Sequence, residues 1–195
     1  MDPISAANAR LLWYATMGEL VISWNSCDVC LGEMVRGLSG GGTAANLVLT
    51  AHLSTRAMTD AISALLHEAT DDVMAEHVSH FAEMLDRLRE YRNFYVHALT
   101  IDTDFDNWKF PLASLSQLVS RPRLKSHQDL ILVDRLQDVT RQVVALRAYG
   151  EAIVAIYFVR PLYGDPPPLP VKPVFPERFK KPEGFPISFR RPSLG

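Results

Sequence analysis

Residues 88–98, LREYRNFYVHA, close a long amphipathic segment from which the fold can be predicted. Apolar residues recur through this segment at helical spacing, at Met74, Val78, Phe81, Leu85, Leu88, Tyr95 and Leu99. The position that follows Leu88 on this stripe is Arg92, and an unpaired guanidinium is costly to bury. We therefore predict one helix over residues 72–99, in which Arg92 faces a partner, a ligand or a wet cleft.

Three polar residues of this stretch can converge on one anion. Asn93 and His97 are four residues apart and share a helix face, and Arg92 lies about 140° around and about 7.5 Å along the axis from His97. Solvated groups, caps and ion-pair partners are the commoner use of such residues near a helix end, so that alternative stays open. Arg121 and His127 form a looser pair, but they straddle a proline in a predicted loop and lack a common helical frame.

The chemistry of metal-free RNA cleavage uses these residue types. A histidine with a near-neutral pKa can transfer protons, so His97 is a candidate acid or base. The guanidinium fork of Arg92 matches phosphate oxygens and can stabilise developing charge, and Asn93 could orient His97 or the substrate. A two-fold dimer would supply separate acid and base groups, and a need for the 2′-OH would restrict the reaction to RNA.

The distribution of charge bears on RNA binding, because phosphate contacts normally dominate the affinity. Residues 160–195 hold seven Lys or Arg and three Asp or Glu, a net charge of +4, which leaves −6 for residues 1–159 because the whole chain carries −2. Arg89 could add phosphate affinity one turn before Arg92, or it could pair with Asp86 or Glu90. The acidic body favours the alternative of a silent module that binds a partner, a nucleotide or RNA.

Four capped apolar stripes predict an all-α fold, an antiparallel four-helix bundle with helices near residues 4–37, 44–68, 72–99 and 127–159. The first stripe includes Leu11, Tyr14, Trp24 and Leu31, and the second places Ser54 on its buried side. Residues 100–125 mix turn formers with aromatics, which predicts an irregular or small β-hairpin insertion before the last helix.

The C-terminal part of the chain differs in composition. Residues 160–195 hold ten of the thirteen prolines, so no regular structure is expected there. Their aromatic and basic residues predict an extended arm that docks on its own subunit, on the dimer mate or on RNA. The chain is thus divided into a helical bundle, residues 1–159, and a proline-rich basic tail, residues 160–195.

The sequence predicts neither a metal site nor a cofactor. Cys27 and Cys30 form one Cys-x2-Cys inside a helical pattern without a second pair, which favours two small core residues. His77 and His80 lie three apart near acidic residues, and a solvated polar face is the favoured interpretation. The chain has no signal peptide and no apolar run of about 18 residues, so we expect a cytoplasmic protein without a membrane span.

A resemblance to a known family is carried by Arg92, Asn93 and His97, followed by the small Ala98, at the end of the third predicted helix. This Arg-Asn-x3-His arrangement in a four-helix body resembles the HEPN superfamily over roughly residues 4–158, the motif being the specific part. Many HEPN proteins are dimeric, metal-independent endoribonucleases of toxin–antitoxin, antiviral or RNA-processing systems, and others are inactive binding or assembly modules. One toxin subgroup carries Tyr two residues after the His, where this chain has Leu99.

The resemblance implies a homodimeric endoribonuclease in which Arg92, Asn93 and His97 are catalytic. Arg89 is the candidate substrate-binding residue because of its position one turn before this motif. It also implies a toxin or antiviral defence role, with an antitoxin or another protein as a partner. The alternative is a catalytically silent HEPN-like module.

Overall fold

Helices make up most of the protein. The computed structural model describes residues 3–40, 44–97, 99–101, 113–115, 118–120, 123–125, 133–159, 168 and 170–177. The α-helices are α1 (Pro3–Leu38), α2 (Ala44–Ala51), α3 (Thr55–Leu65), α4 (Asp72–His97) and α5 (Val133–Ile153). A 3-10 turn, Leu66–Glu68, follows α3, and a π-helical segment, Val154–Val159, continues α5. The predicted all-α class is confirmed for the helical body.

Short strands lie between α4 and α5. Strand β1 (Leu99–Ile101) pairs antiparallel with β2 (Ala113–Leu115), and β3 (Leu118–Ser120) pairs antiparallel with β4 (Arg123–Lys125). The other residues of 98–132 lie outside the described residues, so the insertion as a whole stays a prediction.

The helix that carries the candidate motif is continuous, as predicted. Asp71 caps α4, because its side chain accepts a hydrogen bond from the backbone N–H of Met74 at 2.9 Å. The predicted apolar stripe is the buried face of this helix, formed by Val78, Phe81, Leu85, Leu88 and Tyr95. The prediction of one helix over residues 72–99 is confirmed as far as His97.

The prediction of one helix over residues 44–68 is wrong. The chain leaves the helical conformation after Ala51 and starts α3 at Thr55. Ser54 is the N-cap of α3 rather than a buried residue, and its hydroxyl accepts from the N–H of Ala57 at 3.2 Å. A serine in this position satisfies an N–H that the new helix would leave open, which stabilises the break.

Helix α1 presents a different face from the predicted one over its first half. Leu11 and Tyr14 are 68% and 67% exposed, and the buried positions there are Trp13, Thr16 and Leu20. These positions continue with the spacing of an α-helix into Trp24, Cys27 and Leu31, which are buried as a core face. Helix α1 ends at Leu38, and Gly40 in the turn that follows has a φ of +87°, the left-handed conformation that suits glycine after a helix.

Helices α1 and α5 lie side by side and run in the same direction. Gly150 of α5 packs near Cys30, and Phe158, further along, packs against Gly37. Four alternating helices would place the first and the last in opposite directions. The described residues form five α-helices rather than the predicted four, and an odd number of alternating helices is consistent with a parallel α1 and α5.

Helix α4 runs opposite to α1 and α5 and completes the core. Phe81, near its start, packs against Gly150, whereas Arg92, near its end, lies over Trp24 of α1. The largest fully buried side chains come from these three helices and from α3, and they include Leu20, Met34, Ile62, Phe81, Leu85, Leu136, Leu146 and Ile153.

Within the described part of the chain, one helical stretch, Arg135–Val159, is long and apolar enough to cross a membrane. A core helix of a soluble protein has the same composition, and Leu136, Val143, Leu146 and Ile153 of this stretch are buried. The expectation that the chain does not span a membrane stays a prediction.

Candidate functional site around Arg92

Arg92 lies between the last turns of α4 and the middle of α1. Its guanidinium carbon is 5.8 Å from the centroid of the Trp24 ring, a distance at which the ring face attracts a cation. Its Nη1 donates a hydrogen bond to Oδ1 of Asn93 at 3.1 Å. Trp24 is buried, Arg92 is partly exposed and Asn93 is exposed. This partly solvated setting is what the sequence predicts for a guanidinium on an apolar stripe.

Asp28 is an acidic neighbour of Arg92 that the sequence reasoning missed. The hydroxyl of Thr55 donates to Oδ1 of Asp28 at 2.9 Å, which connects α1 to α3. Burial raises the pKa of the Asp28 carboxyl above its usual value, and the Thr55 hydrogen bond, the Arg92 charge and the Trp24 side chain each lower it. The hydrogen bond between Thr55 and Asp28 therefore joins α3 to α1, and the charge of Arg92 on α4 acts on the same carboxyl. The signal in the sequence is a carboxylate inside the apolar pattern of α1.

The position of His97 is defined by the backbone of α4. The helix reaches His97, one turn beyond Asn93, so the two residues share a helix face as predicted. The side chain of His97 lies outside the described residues. The convergence of Arg92, Asn93 and His97 on one anion is therefore supported by helix geometry and by the Arg92–Asn93 contact, and it stays a prediction.

Arg89 lies on a neighbouring face and already has an acidic partner. Its Nη2 is 2.8 Å from Oδ1 of Asp86, which is one of the two alternatives that the sequence leaves open. It lines a cleft of about 540 Å³ between α3 and α4, together with Arg56, Asp60, Ser63, His67, Glu83 and Asp86. This cleft carries both signs of charge. The predicted role of Arg89 in binding a substrate is left untested by these contacts.

His77 and His80 of α4 are held by protein contacts rather than by solvent alone. His77 is buried, with its Nδ1 2.7 Å from the hydroxyl of Tyr149, so its assignment to a solvated face is wrong. His77 faces α5, and its burial there lowers the pKa of the imidazole below the usual value. His80 contacts the backbone oxygen of Pro173 through Nε2 at 2.8 Å. The described residues contain no group of three His, Cys, Asp or Glu that could hold a metal.

The two cysteines are core residues, as predicted. Cys27 and Cys30 are buried free thiols, and Sγ of Cys27 lies 3.9 Å from the backbone oxygen of Val143. Burial raises the pKa of Cys30 to about 11 and raises that of Cys27 further. Thiols in this state are poor nucleophiles and poor metal ligands.

No family model, curated protein or solved structure matches the chain. Function is therefore inferred from the chemistry of the residues around Arg92. A guanidinium beside an amide, on a helix that ends one turn later with histidine, can bind an anion and exchange a proton with it.

Proposed function

We propose that this chain is a metal-independent endoribonuclease of the HEPN type. The observation that supports the proposal is the contact of Arg92 with Asn93 at the exposed end of α4, one turn before His97. His97 removes the proton from the ribose 2′-OH, whose oxygen attacks phosphorus. Arg92 stabilises the charge on the pentavalent phosphorane, and the bond from phosphorus to the 5′-oxygen breaks. The product is a 2′,3′-cyclic phosphate.

The proposed active form is a homodimer that joins the faces carrying Arg92 and His97. The second copy of His97 then protonates the leaving 5′-oxygen, so that acid and base are separate groups. In each subunit α1, α3, α4 and α5 form the HEPN-like four-helix body, with the stretch between α4 and α5 as a small insertion. A cytoplasmic toxin or antiviral role, restrained by an antitoxin or another protein, fits such an enzyme.

The proline-rich tail, residues 160–195, serves as a basic arm in this proposal and offsets the acidic body. Its residues 170–177 are described, and the backbone oxygen of Glu177 accepts a hydrogen bond from Tyr91, the neighbour of Arg92, at 2.8 Å. The next four positions in the sequence include Arg178, Lys180 and Lys181. In this proposal these cations add phosphate affinity to a site near Arg92.

A silent helical module for partner, nucleotide or RNA binding is the second candidate function. The charge of Arg92 acts on the carboxyl of Asp28, and Arg92 lies over Trp24. A guanidinium with these neighbours can serve the fold alone. In that case Arg92 holds α4 against α1 and α3, and no nuclease activity exists.

Cleavage and melting temperature, measured on the same proteins, separate these functions. We expect the wild type to cut single-stranded RNA in the presence of a metal chelator, to leave 2′,3′-cyclic phosphate ends and to spare the matching DNA. His97→Ala and Arg92→Ala should each reduce the rate by about 10²–10⁴ without unfolding the dimer. Arg141→Ala, a change at an exposed arginine of α5 that pairs with Asp138, is the matched control and should keep full activity.

The opposite pattern would favour the silent module. Intact RNA together with a large fall of the melting temperature in Arg92→Ala means that this arginine holds the helices together. Light scattering that shows a strict monomer at high concentration would contradict the dimer.

A further inference from the structure

The arm segment, defined here as residues 170–177, lies along one face of α4. Lys172 forms an ion pair with Glu76, the backbone oxygen of Pro173 is 2.8 Å from Nε2 of His80, and the backbone oxygen of Glu177 accepts from the Tyr91 hydroxyl. The segment therefore runs in the same direction as α4 over about four turns.

The aromatic contact of the arm segment is made by Phe175. Its ring centroid is 4.3 Å from that of His80, and the guanidinium carbon of Arg87 is 4.3 Å from the same centroid. A ring between an imidazole and a guanidinium gains dispersion and cation–π attraction. Pro176, the next residue, is buried. Phe175 and Pro176 are thus the apolar anchor of the segment.

Exposure along the arm segment repeats every three residues. Val171, Val174 and Glu177 are exposed, with 91% and 88% exposure for the two valines, whereas the three prolines 170, 173 and 176 are partly or fully covered. A period of three is that of a polyproline II helix, which presents one edge in every turn to a binding surface. The sequence Pro-Val-Lys-Pro-Val-Phe-Pro therefore docks by two of its three edges, the one that carries the prolines and the one that carries Lys172 and Phe175.

The four residues of α4 that contact the arm segment have the spacing of one helix face. Glu76, His80, Arg87 and Tyr91 are separated by four, seven and four positions, so they form one face of α4. Two of them contact backbone oxygens, which any extended chain presents, and the other two contact Lys172 and Phe175. Backbone contacts give affinity for the extended conformation, and side-chain contacts select the sequence.

We propose that this face of α4 is a binding site for extended segments with the pattern Pro-x-Lys-Pro-x-Phe-Pro in a partner protein, and that the chain's own arm segment is its built-in competitor. Tethering raises the local concentration of the arm to the millimolar range, so a weak intrinsic affinity suffices to hold it in place. The half-exposed arm contributes few buried groups, and its release leaves the receptor side chains in contact with water. A partner segment with the same pattern displaces the arm when it binds this site more strongly than the tethered arm does.

The test uses the full chain and a fluorescent peptide of residues 169–178 in an anisotropy titration. The wild type should bind the peptide weakly, because its own arm occupies the site. Phe175→Ala in the protein should release the arm and raise the affinity for the peptide by at least about tenfold. Val174→Ala is the matched control in the same segment, since Val174 is exposed, and it should bind the peptide as the wild type does.

A charge exchange provides an independent way to open the site. Lys172→Glu should release the arm through repulsion from Glu76, and it should raise the affinity for the peptide as Phe175→Ala does. Adding Glu76→Lys to this variant should restore the closed arm and the weak binding of the wild type. Circular dichroism confirms that each variant is folded.

Three results would overturn the proposal. The first is an absence of binding to both opened variants at millimolar peptide. The second is equal binding of a peptide that carries Phe175→Ala, and the third is unchanged binding after Arg87→Ala and Tyr91→Phe in the opened protein. A dimer that Phe175→Ala abolishes would indicate that two copies exchange their arms. The ligand of this face would then be the arm of a second copy of this chain, and the proposal of a partner protein would be wrong.

Discussion

The hydroxyl of Tyr149 on α5 lies 2.7 Å from Nδ1 of His77 on α4, and both side chains are buried. This hydrogen bond is a polar link between α4 and α5. Burial raises the pKa of the Tyr149 phenol as it lowers that of the imidazole, so both groups are neutral near pH 7. A neutral pair is cheaper to bury than a charged one.

Removing the hydroxyl of Tyr149 should destabilise the protein. Tyr149→Phe leaves the ring nitrogen of His77 without this partner, and a buried unsatisfied group costs about 1–3 kcal/mol. Urea unfolding at pH 7.5 measures the difference in free energy. Tyr14→Phe removes the same atom from a side chain that is 67% exposed, and its effect should stay within about 0.5 kcal/mol. Equal losses in the two variants would contradict a structural role for the bond.

His77 should also cause the free energy of unfolding to fall in mild acid. Burial, and to a lesser extent the charge of Lys172, holds the pKa of His77 below the value of about 6.5 that it has in an unfolded chain. Below about pH 6.5 the unfolded state binds a proton that the folded state does not, so the free energy of unfolding decreases as the pH falls.

Substitutions can show whether His77 causes this fall of the free energy of unfolding in mild acid. The pKa of Glu76, the neighbouring carboxyl, is lowered by Lys172 and therefore affects stability only at more acidic pH. His77→Asn should flatten the loss of unfolding free energy between pH 7.5 and 5.5, whereas His52→Asn, at an exposed site, should leave it unchanged. Parallel curves for the wild type and His77→Asn would remove this histidine as the cause.

Two glycines provide a matched pair for a test of helix packing. A methyl group at Gly150 would overlap the ring of Phe81 and lie 3.2 Å from Cβ of Cys30. Gly150→Ala should therefore lower the free energy of unfolding by about 1–3 kcal/mol. At Gly18, nothing lies within 4 Å of such a methyl group, and Gly18→Ala should raise it by about 0.5–1 kcal/mol. Thermal melts of both variants measure the difference, and a stabilising Gly150→Ala would contradict the close approach of the three helices.

A double-mutant cycle measures how much Arg92 depends on Asp28. The charge of Arg92 lowers the pKa of Asp28 against the rise that burial causes. Removing Arg92 leaves this half-buried carboxylate less compensated, so Arg92→Ala should destabilise the protein without unfolding it, and by more in the wild type than in Asp28→Asn. Coupling energies between neighbouring groups are about 0.5–3 kcal/mol. Urea unfolding of the four proteins gives the value, and additive losses would show that Arg92 is not needed to hold the helices.

The long helices could be predicted because their signals are local. Asp71 and the apolar stripe from Val78 to Leu88 define α4 without reference to any other element. The break before α3 was missed because residues 52–54 contain neither glycine nor proline. Its signal was Ser54 three positions before Ala57, a capping pattern that the apolar neighbours concealed.

The candidate site could be predicted only in part. The side chains of one helix are related by its geometry, so Arg92 and Asn93 were recognised together. Asp28 and Thr55 lie on other helices, and their approach to Arg92 depends on packing that no local pattern encodes. The contact of Phe175 with Arg87 could not be predicted for the same reason, because the two residues are 88 positions apart in the sequence.

The parallel packing of α1 against α5 has a consequence for the order of folding. Cys27 meets Val143 across 116 positions, so α1 completes the burial of its core face only when the last helix is present. Closing a longer loop costs only about 0.6 kcal/mol for each doubling of its length, and the equilibrium stability is little affected. The rate is affected more, since chains with distant contacts fold slowly. During synthesis on the ribosome, the side of α1 around Cys27 and Cys30 that meets α5 stays uncovered until α5 has emerged, and this is the interval in which a chaperone would matter most.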